Sequence, residues 1–247
     1  LPEEVIAAGY KNRGIAPEVA KAWVDSGWGM YGLPEEHGGT PCDHQTMAMI
    51  IEELNHAGGN IPMAPNLLIM FDVCEFGTPE QIKYAMDYYK DNGYPPYCLA
   101  ISEPGAGSDN QGMECLATRT GDGKVHINGV KTWVTQGEHV DGFIVVCKDE
   151  DPSRENKNMS MYLVPANAKG VTIEPLNKIG MQIMPFSMIH FDDVVIDESD
   201  LLGIQGKGFY QLMKNFEWER CVLLAELLGE AQAAMEDACA WVNERQQ

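Results

Sequence analysis

The sequence predicts an α+β fold: a helical N-terminal domain, an antiparallel β-barrel middle domain and the first helix of a C-terminal helical bundle. Three observations carry this. Up to about residue 92 the apolar residues recur at helical spacing. From about Tyr94 the period drops to alternation, and short apolar runs follow one another with no helix between them, the pattern of an antiparallel barrel or sandwich. From Gly206 the threes and fours return and persist to at least Asn243. These changes divide the chain at 1–93, 94–204 and 205–247.

In the first unit, Pro17 to Ser26 makes a short amphipathic helix with Val19, Ala20 and Trp23 on one side. Gly27 to Gly39 is Gly-rich and reads as loop. Gln45 to Ala57 carries Met47, Ile50, Ile51 and Leu54 at helical spacing. Thr78 can cap the next helix, Pro79 suits its first position, and Gln81 completes a capping box, so a helix should run to about Lys90.

In the second unit, Asp122-Gly123 and Asn128-Gly129 are hairpin signals on either side of Lys124 to Asn128. Phe143 to Cys147, Met159 to Pro165, Val171 to Pro175 and Met188 to Ile196 have strand character. The polar stretch Asp149 to Asn158 reads as a loop between two of them. The last unit is one long helix from about Gly208. Its apolar stripe, with Leu212, Leu223 and Leu227, finds too few partners in this chain to cover it. The chain opens Leu-Pro-Glu-Glu and stops inside a helical pattern, so we read it as a fragment of a longer protein.

A net charge of −20 argues against nucleic acid, which needs a basic face, and against an anionic membrane surface. An anionic ligand would need local cations or helix N-termini. No apolar run is long enough to span a bilayer. The seven cysteines are odd in number and contain no C-x-x-C pair, which points to reduced, mostly buried thiols in a cytoplasmic protein. The six histidines show no metal spacing.

Two stretches carry chemistry. Tyr97 to Asp109 (Y-C-L-A-I-S-E-P-G-A-G-S-D) is a short strand that ends in a hydroxyl, a carboxylate and a Gly-rich turn. Such a segment presents backbone amides and small hydroxyls to a polar ligand. A plain hairpin turn is the competing interpretation. It is not a Rossmann fingerprint, because the G-x-G-x-x-G spacing is absent and Met113 to Arg119 reads as strand rather than helix. Lys131 to Gly137 (K-T-W-V-T-Q-G) is the second stretch.

Together these residues resemble the signature of the FAD-dependent acyl-CoA dehydrogenases. Ile101 to Asp109 matches the family's first signature. Leu33 to Gly39 resembles its P-E-E-x-G-G loop, and Ile127 to Thr135 its I-N-G-x-K-x-W-I-T strand. Phe191 to Asp197, Leu202-Gly203 and Gly206 to Phe209 resemble the end of its β-domain, and Glu217 to Arg220 its D-x-E-R. These motifs keep the family's order over nearly the whole chain.

The resemblance implies a flavoprotein oxidoreductase acting on the α–β carbon bond of an acyl-CoA, in either direction. Electrons would be exchanged with an electron-transfer flavoprotein, in a homodimer or homotetramer. Leu99, Ala100, Ile101 and Ser102 would line the isoalloxazine, with Ser102 in place of the commoner threonine. Trp133 would cover a flavin face and Thr135 would bond near N5. Gly107, Ser108 and Val134 complete the implied cofactor contacts. Ser108, Glu217 and Arg220 would touch CoA; the last two could equally form a surface ion pair. Most of the family takes its catalytic base from a glutamate in the C-terminal bundle. A branch typified by isovaleryl- and long-chain-acyl-CoA dehydrogenases takes it from the glutamate before this arginine, here Glu219. A solvated helix carboxylate is the alternative. Gly180 to Ser187 departs from the family's L-G-x-R-x-S-x-T, with Gln182 for the arginine, so typical fatty-acyl specificity does not carry over. The overall look is also close to crotonobetainyl-CoA reductases. An acyl-CoA oxidase, a flavin monooxygenase, or a non-catalytic acyl-CoA-binding or protein-binding module are the rival functions.

Overall fold

The computed structural model describes residues 3–58, 64–150 and 158–246. Most of the expected loop at 149–158 lies outside them. Five helices come first: α1 (Glu3–Asn12), α2 (Pro17–Asp25), α3 (His44–His56), α4 (Ala64–Phe76) and α5 (Pro79–Asn92). Asp43 caps α3 by accepting from the Thr46 amide at 2.7 Å. The capping box of α5 forms as its sequence predicts. Thr78 Oγ1 accepts from the Gln81 amide, and the Gln81 side chain accepts from the Thr78 amide at 2.9 Å. α5 ends at Gly93, where φ is 84° and a Cβ would stand 2.2 Å from the Ala20 carbonyl carbon. Only glycine satisfies both demands.

α4 has no apolar stripe, because Leu67, Leu68, Ile69, Met70 and Val73 are all buried. A helix covered over most of its circumference, with only Glu75 exposed among its described side chains, shows little periodicity to read.

Eight strands form the middle sheet: β1 (Tyr97–Ala100), β2 (Leu116–Arg119), β3 (Lys124–Thr135), β4 (Gly142–Asp149), β5 (Met159–Pro165), β6 (Val171–Leu176), β7 (Phe186–Asp197) and β8 (Leu201–Leu202). The order is β6-β7-β3-β2-β4-β5-β8, with β1 added beside β4. Most pairs are antiparallel, as expected. Two are not: β1 and β2 both run parallel to β4, along different halves of it. The ladder path also has two ends, at β6 and β8.

The Asn128-Gly129 hairpin signal is overturned. The turn at Gly123 exists, but β3 runs on through Asn128 and Gly129 to Thr135. Asn128 Oδ1 accepts from the Asp193 amide of β7, and the register slips between Ile127 and Gly129. Gly129 (φ 150°) passes so close to Cys115 that a Cβ would lie 2.7 Å from its Cα. The glycine marks a bulge, not a reversal.

β4 and β5 explain how the core is layered. Ile144 and Val146 join the apolar cluster under the helices, while Phe143, Val145 and Cys147 face a second cluster inside the sheet. Met159, Met161 and Leu163 divide from Tyr162 and Val164 in the same way. Each strand is buried on both faces, so each reads as a continuous apolar run.

The chain closes with α6 (Gly208–Glu244), a single helix of 37 residues. Its first half packs on α3 and α4 through Leu212, Asn215, Val222, Ala225 and Gly229. Its far side exposes Leu224, Leu227, Leu228, Met235 and Trp241. Among the described residues no helix is long and apolar enough to cross a membrane. All seven cysteines are free thiols, but only Cys98, Cys115 and Cys147 are buried, and Cys221 and Cys239 are exposed. The expectation of mostly buried thiols is therefore corrected: α6 carries two on its solvent side.

Candidate active site

A cavity of about 510 Å³ opens where α4, β1, the end of β3 and α6 meet. The strand period decides who reaches it. Ala100 and Val134 point into the sheet interior and are fully buried, so they can offer a ligand only backbone. Their neighbours Leu99, Ile101, Trp133 and Thr135 line the cavity.

Two loops build the polar wall. After β1 the chain makes a tight turn in which Glu103 and Ala106 exchange backbone hydrogen bonds at 2.9 and 3.1 Å. This turn sets Ser102, Gly107 and Ser108 on the cavity wall. A Cβ added to Gly105 or Gly107 would meet nothing within 4 Å, so this backbone is bare and approachable.

The end of β3 is irregular. Its register with β7 slips between Lys131 and Val134, and Trp133 sits at φ 58° with Gln136 at φ 61°. A tryptophan in the left-handed region is strained by roughly 1–3 kcal/mol. The twist turns its ring outward, 57 % exposed and edge-on to Phe186 with centroids 6.5 Å apart.

A buried ion pair joins the two loops. Lys131, with none of its side chain exposed, donates to Glu103 at 2.7 Å and to the Ile101 carbonyl at 2.9 Å. Glu103 also accepts from the Glu114 and Cys115 amides at 2.6 and 2.9 Å. The Thr132 amide donates to the Ser102 carbonyl at 2.8 Å. Both residues lie inside the sequence motifs, yet their pairing is visible only in three dimensions.

α6 supplies Asn215, Phe216 and Glu219. Glu219 is half-buried, and burial raises its carboxyl above the usual range, with Arg220 pulling the other way. Glu217 and Arg220 are exposed and do not line the cavity; Arg220 lies over the Phe216 ring at 5.8 Å. No Glu217–Arg220 ion pair forms among the described residues.

Sequence reasoning missed the contribution of α4, which sets Asn66, Leu68 and Ile69 on the cavity wall. Asn66 is 3 % exposed and its amide has no hydrogen-bond partner among the described residues. Behind Asn215 lies Asp72, 2 % exposed, which accepts from Asn215 Nδ2 at 2.8 Å. Burial pushes the Asp72 carboxyl up to about 7; the Asn215 hydrogen bond opposes this and the charge of Glu219 adds to it. A signal existed for both: apart from Glu75, Asn66 and Asp72 are the polar exceptions in an otherwise apolar helix. No group of three or more metal-ligating side chains occurs among the described residues.

The chemistry of the wall suits a flat, polar heteroaromatic ring such as a flavin. The Ser102 and Thr135 hydroxyls carry no hydrogen bond within the described structure, Gly107 leaves open backbone, and Trp133 presents an exposed ring face.

Family models match the chain in three consecutive parts: the acyl-CoA dehydrogenase N-terminal domain at 2–87, the middle domain at 98–194 and the C-terminal domain at 206–247. The Escherichia coli (strain K12) protein named "Probable acyl-CoA dehydrogenase YdiO" is 35% identical over 245 residues, which is 99% of this chain and 64% of the relative. An acyl-CoA dehydrogenase from Slackia heliotrinireducens superimposes with a TM-score of 0.81 at 35% identity, covering 98% of this chain and 62% of that one. Butyryl-CoA dehydrogenase from Megasphaera elsdenii gives 0.86 at 25% identity, covering 99% and 66%. The chain thus spans a little under two thirds of the curated relative's length. Motif order, family models and fold converge: the chain belongs to the acyl-CoA dehydrogenase family.

Proposed function

We propose that the full-length protein is an FAD-dependent oxidoreductase that works on the α–β carbon bond of an acyl-CoA. The observation that carries this is the gathering of Ser102, Trp133, Thr135 and Glu219, from three separate elements, around one cavity. In the bound state FAD supplies the acceptor, or in reverse the donor, of the β-hydride.

The chain's own residues do the rest. Glu219 takes the α-proton of the thioester. A half-buried carboxylate of raised proton affinity is a better base than a solvated one. Ser102 and Thr135 orient the ring by hydrogen bonds, and Trp133 covers one face. Leu99 and Ile101 keep water from the reacting carbons. Ser108, on the exposed side of the loop, meets the CoA portion. Glu217 and Arg220 stand outside the cavity, so any contact they make falls on CoA beyond its mouth. Electron-transfer flavoprotein as redox partner, a cytoplasmic setting, a homo-oligomeric state and the division at 1–93, 94–204 and 205–247 belong to the same proposal.

The test uses the full-length protein purified with FAD. It should be yellow, and an acyl-CoA should bleach it in the absence of oxygen. A colourless protein would sink the proposal and favour a binding module; rapid oxygen uptake by the reduced form would make it an oxidase. Glu219→Gln should lower kcat by about 10²–10⁴-fold, the usual worth of a general base. A loss of only a few-fold would remove Glu219 as the base.

A further inference from the structure

We infer that Asp72 is a positioning residue for Glu219: a buried carboxyl on α4 that acts across Asn215 to set how strongly Glu219 holds a proton. This rests on the reading of Glu219 as the base.

Asp72 is anomalous where it stands. It is 2 % exposed, with Met70 and Val73 buried beside it in the same helix. Its hydrogen bond in the described structure is to the Asn215 amide, and no cation pairs with it there. A buried carboxyl without a cation costs stability, and an apolar side chain would pack better. Its structural role is to satisfy the buried Asn215 amide, which a neutral acceptor would serve as well.

The geometry gives a reason in the site. Asn215 and Glu219 are one turn apart on α6, so they share a face, and both line the cavity. Asp72 lies directly behind Asn215. The other groups around this part of α4 do not neutralise it. On α6, Lys214 is taken up by Glu75. α5 presents Met86, against the Cys74 thiol, and β1 contributes Tyr97 to the same cavity. Asp72 is thus bonded to the residue one turn before Glu219, close enough for the Glu219 charge to act on it, while Arg220 beside Glu219 pulls that carboxyl the other way.

Such a pair ionises in two steps. Glu219, the more exposed member, loses its proton first. Asp72 follows near neutrality, held up by burial and by the charge on Glu219. Once Asp72 is ionised it makes Glu219 a stronger base. When Glu219 accepts the α-proton, its charge disappears and the repulsion is relieved. The proton passes from substrate carbon to the Glu219 carboxylate, and Asp72 neither gains nor loses one.

The experiment has two arms, both on the full-length protein. In the FAD-loaded enzyme, the pH profile of kcat should contain a rise centred near neutrality, in addition to the acid limb of Glu219. Asp72→Asn should lack that rise and lose about five-fold in kcat at alkaline pH, with little change at acid pH. Asp72→Glu should restore it. An Asp72→Asn profile parallel to the wild type would overturn the inference. In the FAD-free protein, infrared difference spectra should show a carboxylic-acid band, absent in Asp72→Asn, that titrates near neutrality. In Glu219→Gln this band should titrate at lower pH. If it does not move, the coupling fails whichever residue is the base. If it moves while Glu219→Gln retains activity, the coupling stands as a property of the fold, but Asp72 has no role in the reaction and the inference falls with the base assignment.

Discussion

At the scale of single residues, the site depends on Lys131 more than on any residue that touches the cavity. Its ammonium holds Glu103 and the Ile101 carbonyl together, and through them the loop that carries Ser102. Lys131→Met keeps the volume but leaves Glu103 buried without a counter-charge. The expected loss is about 3–5 kcal/mol by urea unfolding, with part of it recovered in the double variant with Glu103→Gln. Much of the site was legible at this scale. Ser102, Gly107, Trp133, Thr135 and Glu219 could be named from short motifs, and all line the cavity. Ala100 and Val134 turn their side chains into the sheet interior, as strand alternation requires, and face the cavity side with backbone alone. Lys131 with Glu103, and Asp72 with Asn215, were not legible, because each pairing spans separate elements. The second joins residues 143 positions apart.

At the scale of elements, the decisive contact is α3 against α6. Gly229 lets the two helices touch: a Cβ there would stand 2.2 Å from the Glu52 carbonyl oxygen. Alanine is the better helix former by about 1 kcal/mol, which favours Gly229→Ala locally. The clash is with backbone and cannot be relieved by a rotamer, so the helices must separate. We expect the clash to win, with a net loss of about 1–2 kcal/mol in urea unfolding. Helix and strand types were readable because their periods differ and because Thr78, Pro79 and Gln81 mark a start unambiguously. α4 had little period to read, since most of its circumference is covered. The Asn128-Gly129 signal misled because that dipeptide also suits a bulge, and which of the two forms depends on the pairing partner β7.

At the scale of the whole molecule, α6 leaves an apolar face uncovered. Leu224, Leu227 and Leu228 are each about 60 % exposed, and Met235 and Trp241 continue the stripe. A face of this kind associates in water. The 247-residue chain should self-associate as its concentration rises, and Leu224→Glu with Leu228→Glu should reverse this in sedimentation without lowering thermal stability. The net charge of −20 opposes association, so added salt should promote it. The turn that follows β1 has a different consequence. Though rich in glycine and exposed at its tip, it is fastened by Lys131 beneath it and by the Thr132 amide beside it. A ligand therefore meets walls that already stand, and little of its affinity is consumed in ordering them. Arrival should be equally quick for good and poor ligands, and the difference between them should lie in how long each stays.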